Sequence, residues 1–424
     1  MALTENTEKE VAQDVRDVPG QLPKMAPGAW AVMIAVWVIG ITLAIAQYKT
    51  SAVMLSMQQS LGIDSASAGM ISGVFTFTGI ILAFPAVNVI RKLGVKWGLV
   101  ASTIFAIVGG FIGYLAGDYG TLIVSRIIEG IGLGLVGIIG PSAIAMWFPI
   151  EKRGAPMGIW SNWQMVGISI CFYASIPLTN AFGGDWKSLW IAAIVCLVVG
   201  LVLALIVVKE PPKECNHADV RDEGTKITKV FSVKSVWIVG LAALAFGLSN
   251  AVVINWIAPF WVTECGIDSA VATNLTGLLF TIEIFGTIIA GVILNKIHKR
   301  RLFIVIDSIL YAVVFFLIFR ITSFSGAIVM MVLYALIESG FCCAMWTLVS
   351  QAVPDPRLAP GAMALYTMFI DLGMWLGPVF AGMIIDSSVG YTGVAYFVCI
   401  AQLAAAVFWG ILKLYNEKGE IVKI

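Results

Sequence analysis

The sequence has few charged residues and almost no histidine. Only 12% of its 424 residues are Asp, Glu, Lys or Arg, about half the share found in a soluble domain, and it contains 2 His. Its 7 Cys show no C-x-x-C or other metal-ligand spacing, and the net charge is +1. These deficits exclude an ordinary water-soluble domain, a cysteine-based metal site and a basic nucleic-acid-binding protein.

Several functional motifs are also missing. The chain has no H-E-x-x-H metal motif, no G-x-S-x-G nucleophile turn and no ATP-binding P-loop. It therefore offers no support for an enzyme, a resident cofactor or a built-in ATPase. Its first 25 residues are polar and lack the apolar core of a signal peptide, so we expect the first apolar segment to stay attached.

Long apolar runs fill the rest of the chain, which is 59% hydrophobic with a mean hydropathy of +0.95. A membrane-crossing helix needs about 20 apolar residues, and lipid forces each segment to satisfy its backbone internally as a helix. The sequence therefore predicts an all-α membrane protein with twelve transmembrane helices. We call them spans 1 to 12, at 30–57, 66–90, 96–117, 120–147, 154–181, 187–208, 236–263, 270–295, 302–320, 325–352, 361–385 and 391–413.

Positive charge is distributed unevenly between the loops. If the N-terminus is cytoplasmic, the 26 Lys and Arg all lie in or beside cytoplasmic segments except Lys49, Arg126, Lys187 and Arg320. This asymmetry follows the positive-inside rule. It predicts a multi-pass protein of the plasma (inner) membrane with both termini in the cytoplasm.

Short phrases recur at one offset. "GIDSASA" at 62–68 returns as "GIDSAVA" at 266–272, "RKLGVK" at 91–96 aligns with "NKIHKR" at 295–300, and "EKRGAP" at 151–156 aligns with "DPRLAP" at 355–360. Two six-helix halves of parallel topology explain this register, with the substrate site expected between them. The predicted organisation is a cytoplasmic tail at 1–29, halves at 30–208 and 236–413, a cytoplasmic linker at 209–235 and a cytoplasmic tail at 414–424.

Three motifs carry a family resemblance. "GVILNKIHKR" at 291–300 is similar to G-x-x-x-D-[RK]-x-G-[RK]-[RK], and "VNVIRKLGVK" at 87–96 is a degraded copy. "RIIEGIGLG" at 126–134 matches R-x-x-x-G-x-G, and "MWFPIEKRGAPMGIW" at 146–160 contains W-F-P-x-x-x-R. With these motifs the chain resembles the major facilitator superfamily, and its organic-anion symporter and oxalate/formate-type branches in particular.

The resemblance implies the major facilitator fold and transport by alternating access. In that fold spans 1, 4, 7, 10 and 2, 5, 8, 11 line a central cavity, while spans 3, 6, 9 and 12 support it. The loop motifs latch the halves, which implies a gating role here for Lys92, Asn295, Lys296, Arg153 and Arg357.

Ionisable residues inside a membrane are costly and mark functional positions. Six occur on cavity-lining spans: Lys49, Arg126, Glu129, Glu283, Glu338 and Asp371. We expect Lys49 and Arg126 to attract a substrate anion and Glu283, Glu338, Asp371 and Glu129 to take part in proton coupling. Plain alternatives stay open: Arg126 and Glu129 neutralise each other at i, i+3, Lys49 extends to the headgroups, or Glu338 or Asp371 forms a latch with one of the cations.

Polar and aromatic residues on the same spans form the expected substrate wall: Tyr48, Trp163, Gln164, Asn255, Trp256 and Tyr366. The sequence thus predicts a monomeric, lipid-embedded secondary transporter for a small organic anion, driven by protons or by exchange. The alternative is efflux of amphipathic or cationic compounds. For any single wall residue, helix packing is the competing interpretation.

Overall fold

The computed structural model describes residues 25–82, 85–149, 152–212, 215–216, 227–294, 296–297, 299–355 and 358–415, and this part of the chain is α-helical. In the first half the helices are Ala29–Ala52, Met54–Leu61, Ser65–Leu82, Pro85–Leu115, Tyr119–Trp147, Gly154–Ser161, Trp163–Ala181 and Ser188–Ile206. In the second half they are Lys234–Thr263, Ser269–Leu294, Arg300–Ile318, Phe324–Val349, Ala359–Ile385 and Gly390–Ile411.

The predicted spans correspond to these helices in order. Within the described residues, 11 helices are long and apolar enough to cross a membrane, and the twelfth, span 5, is less apolar. Span 5 consists of Gly154–Ser161 and Trp163–Ala181, which meet at Asn162. Ser161 and Asn162 both donate side-chain hydrogen bonds to the carbonyl of Gly158, and such local bonds compete with the helical ladder.

Spans 2 and 3 are separated by a sharp turn at Gly94. Its φ of 73° and ψ of 176° interrupt the continuous stretch Pro85–Leu115, and a residue with a Cβ is strained in that region of backbone space. The first part of the stretch extends span 2, and Lys92–Leu115 contains span 3.

The recurring "GIDSA" phrase caps a helix in each half. Asp64 Oδ1 accepts a hydrogen bond from the backbone N–H of Ser67 at 2.8 Å. Asp268 Oδ1 accepts one from the N–H of Ala270 at 2.9 Å. The bonds from Ser67 hold the pKa of Asp64 below its usual value. We call the end of the bundle that carries these two segments the hairpin side, and the opposite end, which carries the segment after Ile206, the linker side.

The two halves meet along spans 2 and 11 and along spans 5 and 8. A Cβ placed on Gly73 of span 2 would lie 2.3 Å from the carbonyl oxygen of Trp375 on span 11. A Cβ on Gly277 of span 8 would lie 3.0 Å from the ring of Tyr173 on span 5. Gly73 and Gly277 are equivalent positions in the repeat, so the same position in each half approaches the other half.

A polar contact joins the halves on the hairpin side. Asn255 Oδ1 on span 7 accepts hydrogen bonds from the hydroxyl of Ser51 on span 1, at 2.6 Å, and from the hydroxyl of Ser72 on span 2. Ser51 and Asn255 are 204 positions apart, which is the offset of the repeat. Repeat-equivalent residues therefore contact each other, so the pseudo-two-fold axis passes between them.

Gly73→Ala tests the contact between spans 2 and 11. The added methyl group would overlap the Trp375 carbonyl, so we expect the variant to lose about 1–3 kcal/mol of unfolding free energy and to melt at a lower temperature in detergent. Gly137→Ala on span 4 is the matched control, because a Cβ there meets no atom within 4 Å. Equal melting temperatures for both variants would contradict the close packing of spans 2 and 11.

Candidate functional site

Three charged side chains form a buried cluster in the first half, which we call the N-half triad: Lys49, Arg126 and Glu129. Lys49 Nζ lies 2.5 Å from Glu129 Oε1, and an Arg126 guanidinium nitrogen lies 2.6 Å from Glu129 Oε2. All three side chains are 0% exposed. Two cations share one carboxylate, so the triad carries a formal net charge of +1.

Backbone carbonyls and aromatic rings complete the surroundings of both cations. Arg126 donates to the carbonyls of Ala46 and Gln47 at 2.8 and 2.6 Å, and Lys49 donates to that of Ala46 at 2.9 Å. Lys49 Nζ lies 4.8 Å from the ring centre of Trp190 on span 6, and the guanidinium carbon of Arg126 lies 4.2 Å from that of Phe75 on span 2. Such contacts stabilise buried cations.

The triad faces the interior of the first half. A Cβ placed on Gly109 of span 3 would lie 2.7 Å from Glu129 Cγ, and one on Gly110 would lie 3.2 Å from Glu129 Oε1. Spans 3 and 6 therefore enclose the triad on the side away from the second half. Lys49 does not extend to the surface, and it pairs with Glu129 and not with an acid of the second half.

The second half contains a different kind of site, which we call the C-half acid pair: Glu283 on span 8 and Glu338 on span 10. Their side chains are 1% and 2% exposed. Ser339, the residue after Glu338, donates a hydrogen bond to the Glu283 carbonyl at 3.5 Å, so the two acids lie at the same level of neighbouring spans. Both oxygens of Glu283 and Oε2 of Glu338 have no hydrogen-bond partner among the described residues. Neither Glu283 nor Glu338 forms an ion pair with a described residue, so the acid pair has no cation in this part of the chain.

Neutral side chains hold one end of the acid pair. Asn250 on span 7 donates from Nδ2 to Glu338 Oε1 and to the hydroxyl of Tyr334, the latter at 3.0 Å. Tyr334 is one helical turn before Glu338 on span 10, and its ring centre lies 5.3 Å from that of Tyr311 on span 9. Sequence reasoning missed Asn250, Tyr334 and Tyr311; the spacing of four between Tyr334 and Glu338 was the available signal.

Asp371 and Tyr48 lie where the halves meet. Asp371 on span 11 is half-buried, and a Cβ on Gly79 of span 2 would lie 3.0 Å from its Oδ2. Tyr48, 5% exposed, lies close to Asp371, Glu338 and Glu283. Tyr48 thus faces the second half, while Lys49, the next residue, faces the interior of the first.

The other expected wall residues lie in several places. Trp163 stacks on Trp160 at 5.5 Å and packs against Gly40 of span 1, and Gln164 beside it is half-buried. Trp256 donates from Nε1 to the Pro378 carbonyl at 3.1 Å. The two remaining residues differ in their polar contacts: Asn255 bridges the halves, as described above, whereas the hydroxyl of Tyr366 is buried without a partner among the described residues.

Three of the expected gating residues, Lys92, Lys296 and Arg153, lie on the linker side. Lys92 and Lys296 are exposed. Arg153 donates to the carbonyls of Phe148 and Ala145 at 2.9 and 2.7 Å, which completes the end of span 4. Asn295 and Arg357 lie outside the described residues.

Known proteins resemble this chain over most of its length. The family model of the Major Facilitator Superfamily matches residues 32–359. A lysosomal dipeptide transporter of Danio rerio is 22% identical, over 85% of this chain and 82% of its own. An arabinose-proton symporter of Bacillus subtilis (strain 168) is 25% identical, over 68% and 71%. The crystal structure of a D-xylose-proton symporter superposes with a TM-score of 0.73 at 17% identity, covering 93% of this chain and 100% of that one.

Variants of the N-half triad should differ in a defined order. Glu129→Gln leaves two neighbouring cations without a counter-charge and should cost about 3–5 kcal/mol of unfolding free energy. Lys49→Met leaves the Glu129–Arg126 pair intact and should cost less. Thermal unfolding of the purified variants checks this, with wild type most stable and Glu129→Gln least; the reverse order would show that the triad is not a single ionic cluster.

Proposed function

The chain belongs to the Major Facilitator Superfamily, a family of transporters and not of enzymes. From this premise we propose that it moves a small organic solute by alternating access. We propose further that the solute moves together with, or in exchange for, protons bound at the C-half acid pair. One observation carries the proposal. Three carboxylate oxygens of Glu283 and Glu338 are buried without a partner in the described part of the chain.

Electrostatics gives the reason. Two carboxylates at close range in a low-dielectric interior repel each other and lose their hydration. A neutral or singly charged pair avoids most of that cost, so binding a proton stabilises the pair. A conformational change that admits water to Glu283 or Glu338 would let the proton leave.

Tyr48 and Asp371 supply a connection between the proton site and the contact of the halves. Tyr48 lies on the first half but close to Glu283, Glu338 and Asp371 of the second half. Asp371 lies against Gly79, where span 11 meets span 2. A change in the charge of the acid pair therefore acts on groups that must separate when the halves rock apart, which is what coupling requires.

An organic anion remains our first proposal for the solute. The N-half triad carries a net charge of +1, so it favours an anion through its field although its cations are enclosed. Lys49→Met removes this charge and keeps the Glu129–Arg126 pair. We therefore expect it to weaken uptake of carboxylates and to leave uptake of neutral solutes unchanged.

Efflux of amphipathic or cationic compounds is the second candidate. The C-half acid pair favours this candidate, because a cationic solute could bind directly to the carboxyl groups of Glu283 and Glu338. The two candidates predict different behaviour when an acid is neutralised, since a lost proton carrier affects only coupling whereas a lost binding group affects every mode of transport.

Proteoliposome transport of labelled carboxylates, amines, sugars and dipeptides, with and without a pH gradient, tests the proposal. We expect Glu338→Gln and Glu283→Gln to abolish accumulation driven by the gradient, because an amide cannot release a proton, while exchange of the transported solute between the two sides continues.

Glu264→Gln is the matched control, since Glu264 is an exposed acid at the end of span 7, and it should transport like the wild type. Loss of exchange together with accumulation would favour the cationic-solute candidate. Accumulation that is independent of the pH gradient in the wild type would refute proton coupling.

A further inference from the structure

One buried acid plays no part in the proposed cycle. Asp307 lies on span 9, a supporting helix, and is 8% exposed with Oδ2 lacking a partner among the described residues. It faces span 10, because a Cβ on Gly340 would lie 3.6 Å from Asp307 Oδ1. At 1.5 Å per residue it lies about 10 Å from the linker-side end of span 9.

Tyr311 continues the line one helical turn deeper. Residues four apart share a helix face, and Tyr311 contacts Tyr334 and Phe341 of span 10 at 5.3 and 5.9 Å between ring centres. Glu338 lies between these two residues on the same face of span 10. The Tyr311 hydroxyl is fully buried and has no partner within the described residues.

A polar side chain of span 12 lies at the same depth. The Arg301 guanidinium at the start of span 9 donates to the Gly410 carbonyl near the end of span 12, which sets the register of these two antiparallel helices. In that register Gln402 lies at a depth between those of Asp307 and Tyr311. Both polar atoms of the Gln402 side chain are buried without a partner in the described part of the chain.

These side chains form a file of buried polar groups: Asp307, Tyr311, Gln402, Glu338 and Glu283. Buried polar groups in proteins are nearly always hydrogen-bonded, to protein or to water, and the partner that joins separated buried polar groups is usually water. The file runs from the linker side to the C-half acid pair through the interior of the second half. Asp307, Tyr311 and Gln402 lie on spans 9 and 12, which are not among the spans along which the halves meet.

We propose that Asp307 and Tyr311 relay protons between the linker side and the C-half acid pair. This inference rests on the proposed proton coupling and adds the route. The acid pair needs such a route because Glu283 and Glu338 are only 1% and 2% exposed, so the space between the halves does not reach them directly in this conformation.

The transfer is balanced at each group. The O–H bond of protonated Asp307 breaks, and its proton reaches the Tyr311 oxygen directly or through water. The Tyr311 O–H bond breaks in the same step, and its proton passes to a Glu338 carboxylate oxygen, which forms a new O–H bond. Tyr311 ends neutral, and Asp307 ends as a carboxylate that takes its next proton from the linker side.

The titratable groups around the relay are few. Cys342 of span 10 lies near Asp307, and Glu338, Glu283 and Tyr334 lie near Tyr311. Gln402 of span 12 is not titratable. The relay is therefore coupled to the acid pair and not to a cation among these neighbours.

A pH jump on the full-length protein in lipid vesicles, followed by time-resolved infrared spectroscopy of protonated carboxyl groups, tests the relay without a substrate. The band of the acid pair is identified as the one missing from the Glu283→Gln/Glu338→Gln double variant. We expect Asp307→Asn and Tyr311→Phe to slow the rise of this band by at least about tenfold without moving its titration midpoint, and Asp307→Glu to restore the rate.

Ser308→Ala is the matched control, because Ser308 is buried on the same helix and its one hydrogen bond among the described residues goes to the Ile304 carbonyl of its own turn. The rate of this variant should equal that of the wild type. An unchanged rate in Asp307→Asn and Tyr311→Phe would overturn the relay and leave proton coupling intact. A wild-type spectrum with no band assignable to the acid pair would overturn both.

Discussion

The cost of placing charge in a low-dielectric interior governs this structure, and the two halves meet it in different ways. In the first half Glu129 is enclosed by Lys49 and Arg126, with carbonyls and aromatic rings around the cations. That arrangement compensates the charge of all but one of its cations. In the second half Glu283 and Glu338 lie without a cation among the described residues, so a charge on either carboxyl group is not compensated there. The first half therefore balances most of its buried charge within one cluster, and the second half does not.

The internal repeat shows that equivalent backbone positions carry different residues for different purposes in the two halves. The positions equivalent to Glu283 and Glu338 are Gly79 and Gly134, and a Cβ on Gly134 would lie 3.3 Å from the Cα of Gly79. In the first half two helices use this pair of positions to approach each other closely. In the second half the same pair of positions carries two carboxyl groups that face each other. Equivalent geometry therefore serves helix packing in one half and the proposed proton chemistry in the other.

The sequence predicted the fold well, because the thickness of the bilayer determines how long an apolar helix must be. The 204-residue repeat was visible in the loops, where lipid does not restrict the choice of residue. The sequence also placed Glu283 and Glu338 in the interior, since acids in apolar runs are rare. It did not predict the direction of Lys49. Tyr48 and Lys49 are adjacent and point to different halves, and span 1 is buried on nearly all sides, so its pattern carries no signal for rotation about the helix axis. Asp307 and Gln402 were not predicted as site residues, because they lie on spans 9 and 12, which were expected to support the cavity and not to line it.

The contact between Ser51 and Asn255 has a consequence for the origin of the two halves. An assembly of two identical six-helix chains would place this position opposite a copy of itself, as every residue on the axis of an isologous dimer must be. Two serines there could exchange one hydrogen bond, and two asparagines would require more room. Joining the halves in one chain removes that restriction: a small donor on one side now meets a larger acceptor on the other, and the same asparagine oxygen also accepts from Ser72. A covalent linker thus permits a chemical asymmetry that a symmetric dimer cannot encode.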